Sequence, residues 1–395
     1  MADDLKHRFA TRLSHAGRGG TRSPGFVNPA VHRGSTVLVP TVADRRANAA
    51  KRLDQALTYG TGGGPTHWAL EDVVAEIEGG TRCQIVSTGL AAVTTPLLAY
   101  LGTGDHCLMP DSAYGPSRGF MDNFMRRMGV TTTYYDPCID GAGLAALFLP
   151  GTKVLYLESP GSHTFEVQDV PALAAVARAR GAKVLMDNTW GIHSFQPFRH
   201  GVDVSIQALT KYVAGHSDVL LGGVTTNTPE DWERVRSTTM QLGQFASPDD
   251  CWLALRGVRT MAVRLKAQSA AALEIAAWLS GRPEVKQVLF PALPGAPGHA
   301  LWKRDFTGAC SLFGVVFQPQ YTAEAVGAMA DALDLFGIGA SWGGFECLVV
   351  PTSGITRTAG SGQFGGEMLR LHIGLEDPAD IRRDLEKGLA VLGGG

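Results

Sequence analysis

A lysine at the mouth of one buried strand and an aspartate at the end of another are the side chains whose placement asks for chemistry. Val204 to Leu209 reads as a short apolar strand that runs into Thr210 and Lys211, then a Gly-His-Ser-Asp loop. An ammonium loses solvation there. A snorkelling stem that returns its head to water answers the cost. So does a depressed pKa, which leaves an amine able to attack a carbonyl and form a Schiff base, pyridoxal phosphate being the common protein-bound partner. Shortly upstream, Lys183 to Asp187 is a second apolar strand, ending on a carboxylate. A buried Asp187 beside a pyridoxal ring would keep the ring nitrogen protonated and preserve its capacity to accept electrons. As an ordinary Asp after a strand it would cap a helix or turn. If both strands belong to one parallel sheet, the two side chains project into the crevice at the strand ends, where α/β proteins bind ligands.

The elements that must position these groups follow a regular rhythm. Residues 1 to 58 are rich in Arg, Gly and Ala. Val31 to Val39 reads as a strand and Arg45 to Leu57 as a short basic helix. This region is either an arm that packs on something else, another subunit included, or a loosely ordered leader. From Thr66, a predicted helix cap, strands and helices alternate. Strands are expected at Cys83–Val86, His106–Met109, Thr131–Tyr135 and Val154–Glu158, and helices after Leu90, at Pro116–Met128, at Leu144–Phe148 and from Asp169. That alternation predicts a mostly parallel sheet covered on both faces. Beyond Gly222-Gly223 comes a long helix, Asp249 to Leu279. A smaller α+β unit follows, with strands at Val285–Phe290, Leu312–Phe317 and Met368–Ile373 and helices at Ala323–Leu335 and from Pro378. The expected division is an arm at 1–58, a large domain at 59–255 and a small domain at 256–395. The terminal Gly393-Gly394-Gly395 is expected to fray.

Composition narrows the function. The chain has 395 residues, 45% apolar and 18% charged, with a net charge of −2. That mix is ordinary for a globular protein, and the charge gives no case for nucleic acid or an anionic membrane. No apolar run approaches membrane-spanning length, and the Met-Ala-Asp-Asp-Leu-Lys-His start lacks the apolar core of a signal peptide. Six scattered cysteines without a C-x-x-C read as buried free thiols of a cytoplasmic protein. The eleven histidines show no metal-ligand spacing.

Other motifs take their meaning from context. Ser87-Thr88-Gly89-Leu90, between strand and helix, suits a phosphate, although a plain βα turn has the same form. Gly141-Ala-Gly-Leu-Ala-Ala146 matches G-x-G-x-x-[G/A]. A turn at Asp136–Asp140 separates it from the preceding strand, so it reads as a helix opening and not a dinucleotide fingerprint. Tyr59 precedes a glycine-rich loop, and Tyr114 stands just past a strand end, placed to stack on a flat cofactor or to sit in the core. Arg370, inside an otherwise apolar strand, calls for an anion: a substrate carboxylate or a structural ion pair.

The stretch Asp203 to Ser217 resembles the pyridoxal-phosphate attachment signature of the Cys/Met metabolism enzymes. The likeness extends through Leu157-Glu-Ser-Pro-Gly161, Met186-Asp-Asn-Thr-Trp190, Pro291-Ala-Leu-Pro-Gly295, Phe306-Thr-Gly308 and Arg370-Leu-His-Ile-Gly-Leu-Glu-Asp377. Ser341-Trp342-Gly-Gly is most similar to the bacterial cystathionine β-lyase branch. The resemblance implies an aspartate-aminotransferase-like fold (PLP fold type I) and pyridoxal 5'-phosphate joined to Lys211. It implies Asp187 on the ring nitrogen, Tyr114 stacked on the ring, and Gly89, Leu90 and Thr210 on the phosphate. Arg370 would take the substrate carboxylate, Ser341 and Trp342 would shape the pocket, and Tyr59 would reach in from a neighbouring subunit of a homodimer or tetramer. The implied reaction is β-elimination on an L-amino acid with a sulfur leaving group, with γ-elimination or γ-replacement as the neighbouring alternative. A nicotinamide oxidoreductase built on the Gly141 turn, or a pyridoxal-binding protein without turnover, are the readings from other classes. Thr61 stands where the family usually carries a phosphate-binding Arg, Ala208 where many members have Ser, and Met240 near a position where some bacterial β-lyases have Tyr.

Overall fold

The structure is a computed structural model that describes residues 7–18, 25–352, 355, 357–360 and 364–393. Gly394 and Gly395, expected to fray, lie outside the described residues.

The chain opens with two short helices, α1 (Phe9–His15) and α2 (Val42–Ala50), the second capped by the Thr41 hydroxyl, which accepts the Asp44 N–H. The expected strand at Val31–Val39 does not form. Its one ladder contact is a bridge between Thr36 and Tyr59, and the segment is largely exposed, so its alternation has no core to face. The helix expected at Arg45–Leu57 is α2, set a few residues earlier because the Thr41 cap fixes its start. In α3 (Pro65–Glu78), Pro65 takes the first position, where its missing N–H costs nothing, and Gly79 ends the helix at φ 72°. Thr66, read as the cap, lies inside that first turn.

Then β1 (Arg82–Val86) leads into α4 (Gly89–Tyr100), and β2 (His106–Pro110) into α5 (Gly115–Gly119), which continues as a π-helical turn at Phe120–Met125. Next come β3 (Thr131–Tyr135), α6 (Gly141–Ala146), β4 (Thr152–Glu158), α7 (Val170–Ala179), β5 (Lys183–Asp187), β6 (Val204–Gln207) and β7 (Gly222–Thr226). The later elements are α8 (Pro229–Gln241), α9 (Pro248–Ser280), β8 (Val285–Leu289), α10 (His299–Asp305), β9 (Leu312–Phe317), α11 (Ala323–Asp331), β10 (Gly337–Ile338), β11 (Leu348–Pro351), β12 (Met368–His372) and α12 (Pro378–Gly393). The Gly141 motif opens α6: the Asp140 carboxylate accepts the Gly143 N–H at 2.7 Å. A carboxylate therefore already occupies the helix end that a dinucleotide pyrophosphate would need.

By internal contacts the chain forms two units, one of residues 1–101 and 196–263, the other of residues 102–195 and 264–395. In the first, β7 lies between β1 and β6 and runs antiparallel to both. In the second, β5, β4, β2 and β3 lie side by side in that order, all parallel. Residues 154–157 of β4 are fully buried, as expected of a parallel strand covered on both faces. A smaller sheet in the same unit has the order β10-β11-β12-β9-β8, antiparallel except at β10–β11. The expected α/β architecture, a mostly parallel sheet plus a smaller second sheet, is what is observed. The boundaries at 58 and 255 remain a proposal about domains, separate from these contact units. Five of the six cysteines are buried as expected, whereas Cys138, in the turn before α6, is exposed.

Candidate active site

In the first unit the interest centres on the exit of β6. Lys211 is half-buried there, in a turn closed by its N–H to Ala208 O at 3.1 Å. Behind it α9 packs so closely that a Cβ on Gly257 would collide with the Val213 and Ala214 carbonyl oxygens. Only glycine permits this approach, which pins the lysine-bearing loop. The Thr210 hydroxyl is engaged with the backbone of Leu221, donating to its carbonyl at 3.2 Å and accepting its N–H at 3.0 Å.

The start of α4 adjoins this turn. Thr88 caps the helix by accepting the Ala91 N–H at 3.0 Å, and helix geometry leaves the Gly89 and Leu90 N–H groups without intrahelical acceptors. A Cβ on Gly89 would stand 2.7 Å from Ala208 Cβ. The helix end thus lies against the residue three before Lys211, with its partial positive charge uncovered. Tyr59 is 54% exposed, and Arg236 donates to Gly62 O at 2.6 Å in the loop that follows it.

The second unit gathers carboxylates, aromatic rings and a guanidinium. Asp187 ends β5 and accepts the Thr189 N–H at 2.9 Å. Its register partner is Glu158, the last residue of β4, so the two carboxylates end adjacent strands. Glu158 is buried. It accepts the Tyr114 N–H at 2.7 Å and the Ser162 hydroxyl at 2.6 Å. Burial and the nearby Asp187 charge push its carboxyl up to about 8. Tyr114 leads into α5 and is 42% exposed. Burial, Asp187 and Glu158 together raise its phenol pKa.

Arg370 lies on β12, half-buried, and donates to Ser341 O at 3.0 Å. No carboxylate among the described residues pairs with it, so the structural ion pair considered from sequence is absent. Burial lowers its pKa and nearby Tyr114 opposes that. Ser341 has φ 85°, uncommon for a residue with a side chain, and Trp342 beside it is half-buried. Sequence reasoning missed Glu158. The signal for Glu158 was its place at a strand end, the same signal that singled out Asp187.

A model of the Cys/Met metabolism PLP-dependent enzymes matches residues 10–390. The chain belongs to that family. It is 47% identical over 384 residues to a Rhizobium johnstonii protein provisionally named as a cystathionine beta-lyase, covering 96% of this chain and 95% of that one. The cystathionine beta-lyase of Escherichia coli is 40% identical over 397 residues, 99% of each chain. Among solved structures, a cystathionine gamma synthase from Xanthomonas oryzae pv. oryzae superposes with a TM-score of 0.88 at 30% identity, covering 97% of this chain and 98% of that one.

The cofactor of the family is pyridoxal phosphate, and the residues present fit it. The first unit offers an amine on a pinned loop and an uncovered helix N-terminus whose glycine admits a close anion. The second offers a strand-end carboxylate and an exposed aromatic ring beside it. Among the described residues no cluster of His, Cys, Asp or Glu could hold a metal, and no helix is long and apolar enough to cross a membrane.

Proposed function

We propose that this PLP-dependent enzyme is a carbon–sulfur β-lyase that cleaves L-cystathionine to homocysteine, pyruvate and ammonia, in the cytoplasm and as a homo-oligomer. The observation that carries an amino-acid substrate is Arg370, a half-buried guanidinium whose charge no described carboxylate answers. The full-length likeness to proteins named as cystathionine beta-lyases supports the β position. An oligomer is supported by the arm, where Phe26, Leu38 and Val42 are 79%, 89% and 67% exposed and α2 buries nothing.

Pyridoxal phosphate supplies an aldehyde that condenses with amines and a protonated ring that takes up the electrons of a broken Cα–H bond. The chain's residues do the rest. Asp187 would hold the proton on the ring nitrogen through its negative charge, and Tyr114 would orient the ring by stacking. Gly89 and Leu90 would present N–H groups to the phosphate, with the Thr210 hydroxyl as a third candidate donor. Arg370 binds the substrate α-carboxylate through its fork of donors, held in place by Ser341 O. Lys211 Nζ anchors the cofactor at rest. With that amine free, Nζ would be placed to take the substrate's Cα proton as a general base. Lys211 or Tyr59, the latter from a neighbouring subunit, gives a proton to the departing sulfur. Ser341 and Trp342 shape the wall near the lysine.

The γ-specific reading is supported by the likeness to γ-acting relatives, the superposed γ synthase among them. Product analysis of the holoenzyme with L-cystathionine decides between them. Pyruvate as the dominant oxo acid is expected; 2-oxobutyrate would replace the β-lyase reading by a γ-lyase.

A further inference from the structure

The glycine-rich loop after Tyr59 is held from behind by a buried cation. Arg236, on α8, is 3% exposed, and its guanidinium joins two parts of the first unit. Nη2 donates to Gly62 O and Nη1 to Gln84 Oε1, each at 2.6 Å. Gln84 lies on β1, the strand that leads into Thr88-Gly89-Leu90. Nε is buried without a hydrogen-bond partner among the described residues. Both acceptors are neutral, and the buried Glu71 carboxyl feels the Arg236 charge without bonding it. A charge taken out of water for neutral partners adds little to stability, and an apolar side chain of similar volume often serves as well. What the guanidinium adds is position, because a charged donor holds a carbonyl at short range and in one direction.

The loop needs such a hold. Four of the five residues Gly60 to Gly64 are glycine, so its own sterics leave many shapes open. Two of its hydrogen bonds are internal, from the Gly62 N–H to Tyr59 O and from the Gly63 N–H to Gly60 O. At its ends the Gly60 N–H donates to Ser35 O at 2.7 Å and the Gly64 N–H to His67 Nδ1 at 3.2 Å. The Arg236 bond ties the middle of the loop to α8 and β1. Tyr59 itself is largely exposed and meets the arm through its bridge to Thr36.

We infer that Arg236 is a positioning residue: through Gly62 O it holds Tyr59 where its hydroxyl serves the site of a neighbouring subunit. This rests on the reading that Tyr59 works across subunits. Arg236 then matters to the turnover of a chain other than its own, which a residue needed only for its own fold would not.

Mixed oligomers of the holoenzyme test it. Lys211→Ala subunits, which lose the amine but keep the loop, are co-expressed with Arg236→Met subunits carrying a second tag, and hybrids containing both are isolated. In such a hybrid the site that retains Lys211 receives Tyr59 from a chain with Arg236 intact. The Arg236→Met enzyme alone is expected to release pyruvate from L-cystathionine about tenfold more slowly per Lys211 than the wild type, the scale of a displaced proton donor. The hybrid should recover most of that loss. Arg236→Lys, able to renew one of the two bonds, should lie between, and it takes the place of Arg236→Met in the hybrid if the methionine chain does not fold. Tyr59→Phe paired with Lys211→Ala is the reference, and it should recover in the same way. Recovery in the reference but not in the Arg236 hybrid would overturn the inference and leave the Tyr59 reading standing, as would an Arg236→Met enzyme as fast as the wild type. Recovery in the Arg236 hybrid alone would overturn the role given to Tyr59 in the inference. No recovery in either hybrid, or a Tyr59→Phe enzyme as fast as the wild type, would overturn both.

Discussion

The Lys211 turn and the Arg370–His163 surroundings solve different problems by different means. Around Lys211 the work is done by backbone: a helix end, a glycine against Ala208, and a helix pressed onto Val213 and Ala214. Around Arg370 it is done by side chains carried on left-handed backbone, with Ser341 at φ 85° and His163 at φ 66°. Backbone recognition suits a group that is the same for every member of a family. Charged side chains and strained backbone suit the part of the site that must tell one substrate from another. The first region should therefore fail through cofactor retention, and the second through substrate selection with the cofactor still bound.

That contrast gives an order of expected effects. Arg370→Leu should reduce kcat/KM for L-cystathionine by about a thousandfold, because a bound carboxylate would lose a charged partner in a half-buried place. Bound pyridoxal phosphate, read from visible absorbance, should remain near the wild-type level. Asp187→Asn should slow pyruvate release about a hundredfold, an amide being unable to hold a proton on the ring nitrogen by charge. Both losses belong to the second unit, and only the latter should also shift the cofactor's visible spectrum. A smaller change is expected for Gly89→Ala. Its Cβ would press on Ala208 at 2.7 Å, an overpacking worth about 1–3 kcal/mol. Equilibrium dialysis should show weakened cofactor binding, with substrate preference among thioethers as before. If that preference moved instead, the division between the two regions would be wrong.

The last effect concerns Glu158 and is one of stability with pH, not of activity. Its carboxyl is pushed up to about 8, first by burial and then by Asp187, above the ordinary value near 4. The folded state therefore holds a proton that the unfolded chain releases. This contribution is complete below about pH 4.3 and is lost as pH rises through about 8. Relative to Glu158→Gln, which cannot ionise, the wild type should lose about 1 kcal/mol of stability per pH unit between pH 5 and 8. Parallel urea titrations at several pH values would measure it, and a constant difference between the two proteins would refute it.

The sequence made the first region easy to read, because its features are local. A strand followed by Thr88-Gly89-Leu90, or by Thr210-Lys211, can be recognised within a few residues, and both fell where expected. Elements with polar faces were harder. α8 went unread although Thr228, Pro229, Glu230 and Asp231 mark its start in full, since its mean character is hydrophilic and no apolar stripe announces it. The supposed strand at Val31–Val39 erred the other way, having apolar alternation without a neighbour to pair with. Glu158 escaped for a non-local reason. Its importance comes from the register that sets it beside Asp187. That neighbour cannot be inferred from spacing along the chain.

The claim on which everything else depends is that the Lys211 amine both anchors the cofactor and moves the Cα proton. Replacing Lys211 by Ala and recording the visible spectrum alongside pyruvate release from L-cystathionine tests it in one experiment. Loss of the absorption band of an amine-linked cofactor together with loss of pyruvate is expected. A variant that kept the band and turned over at the wild-type rate would contradict it.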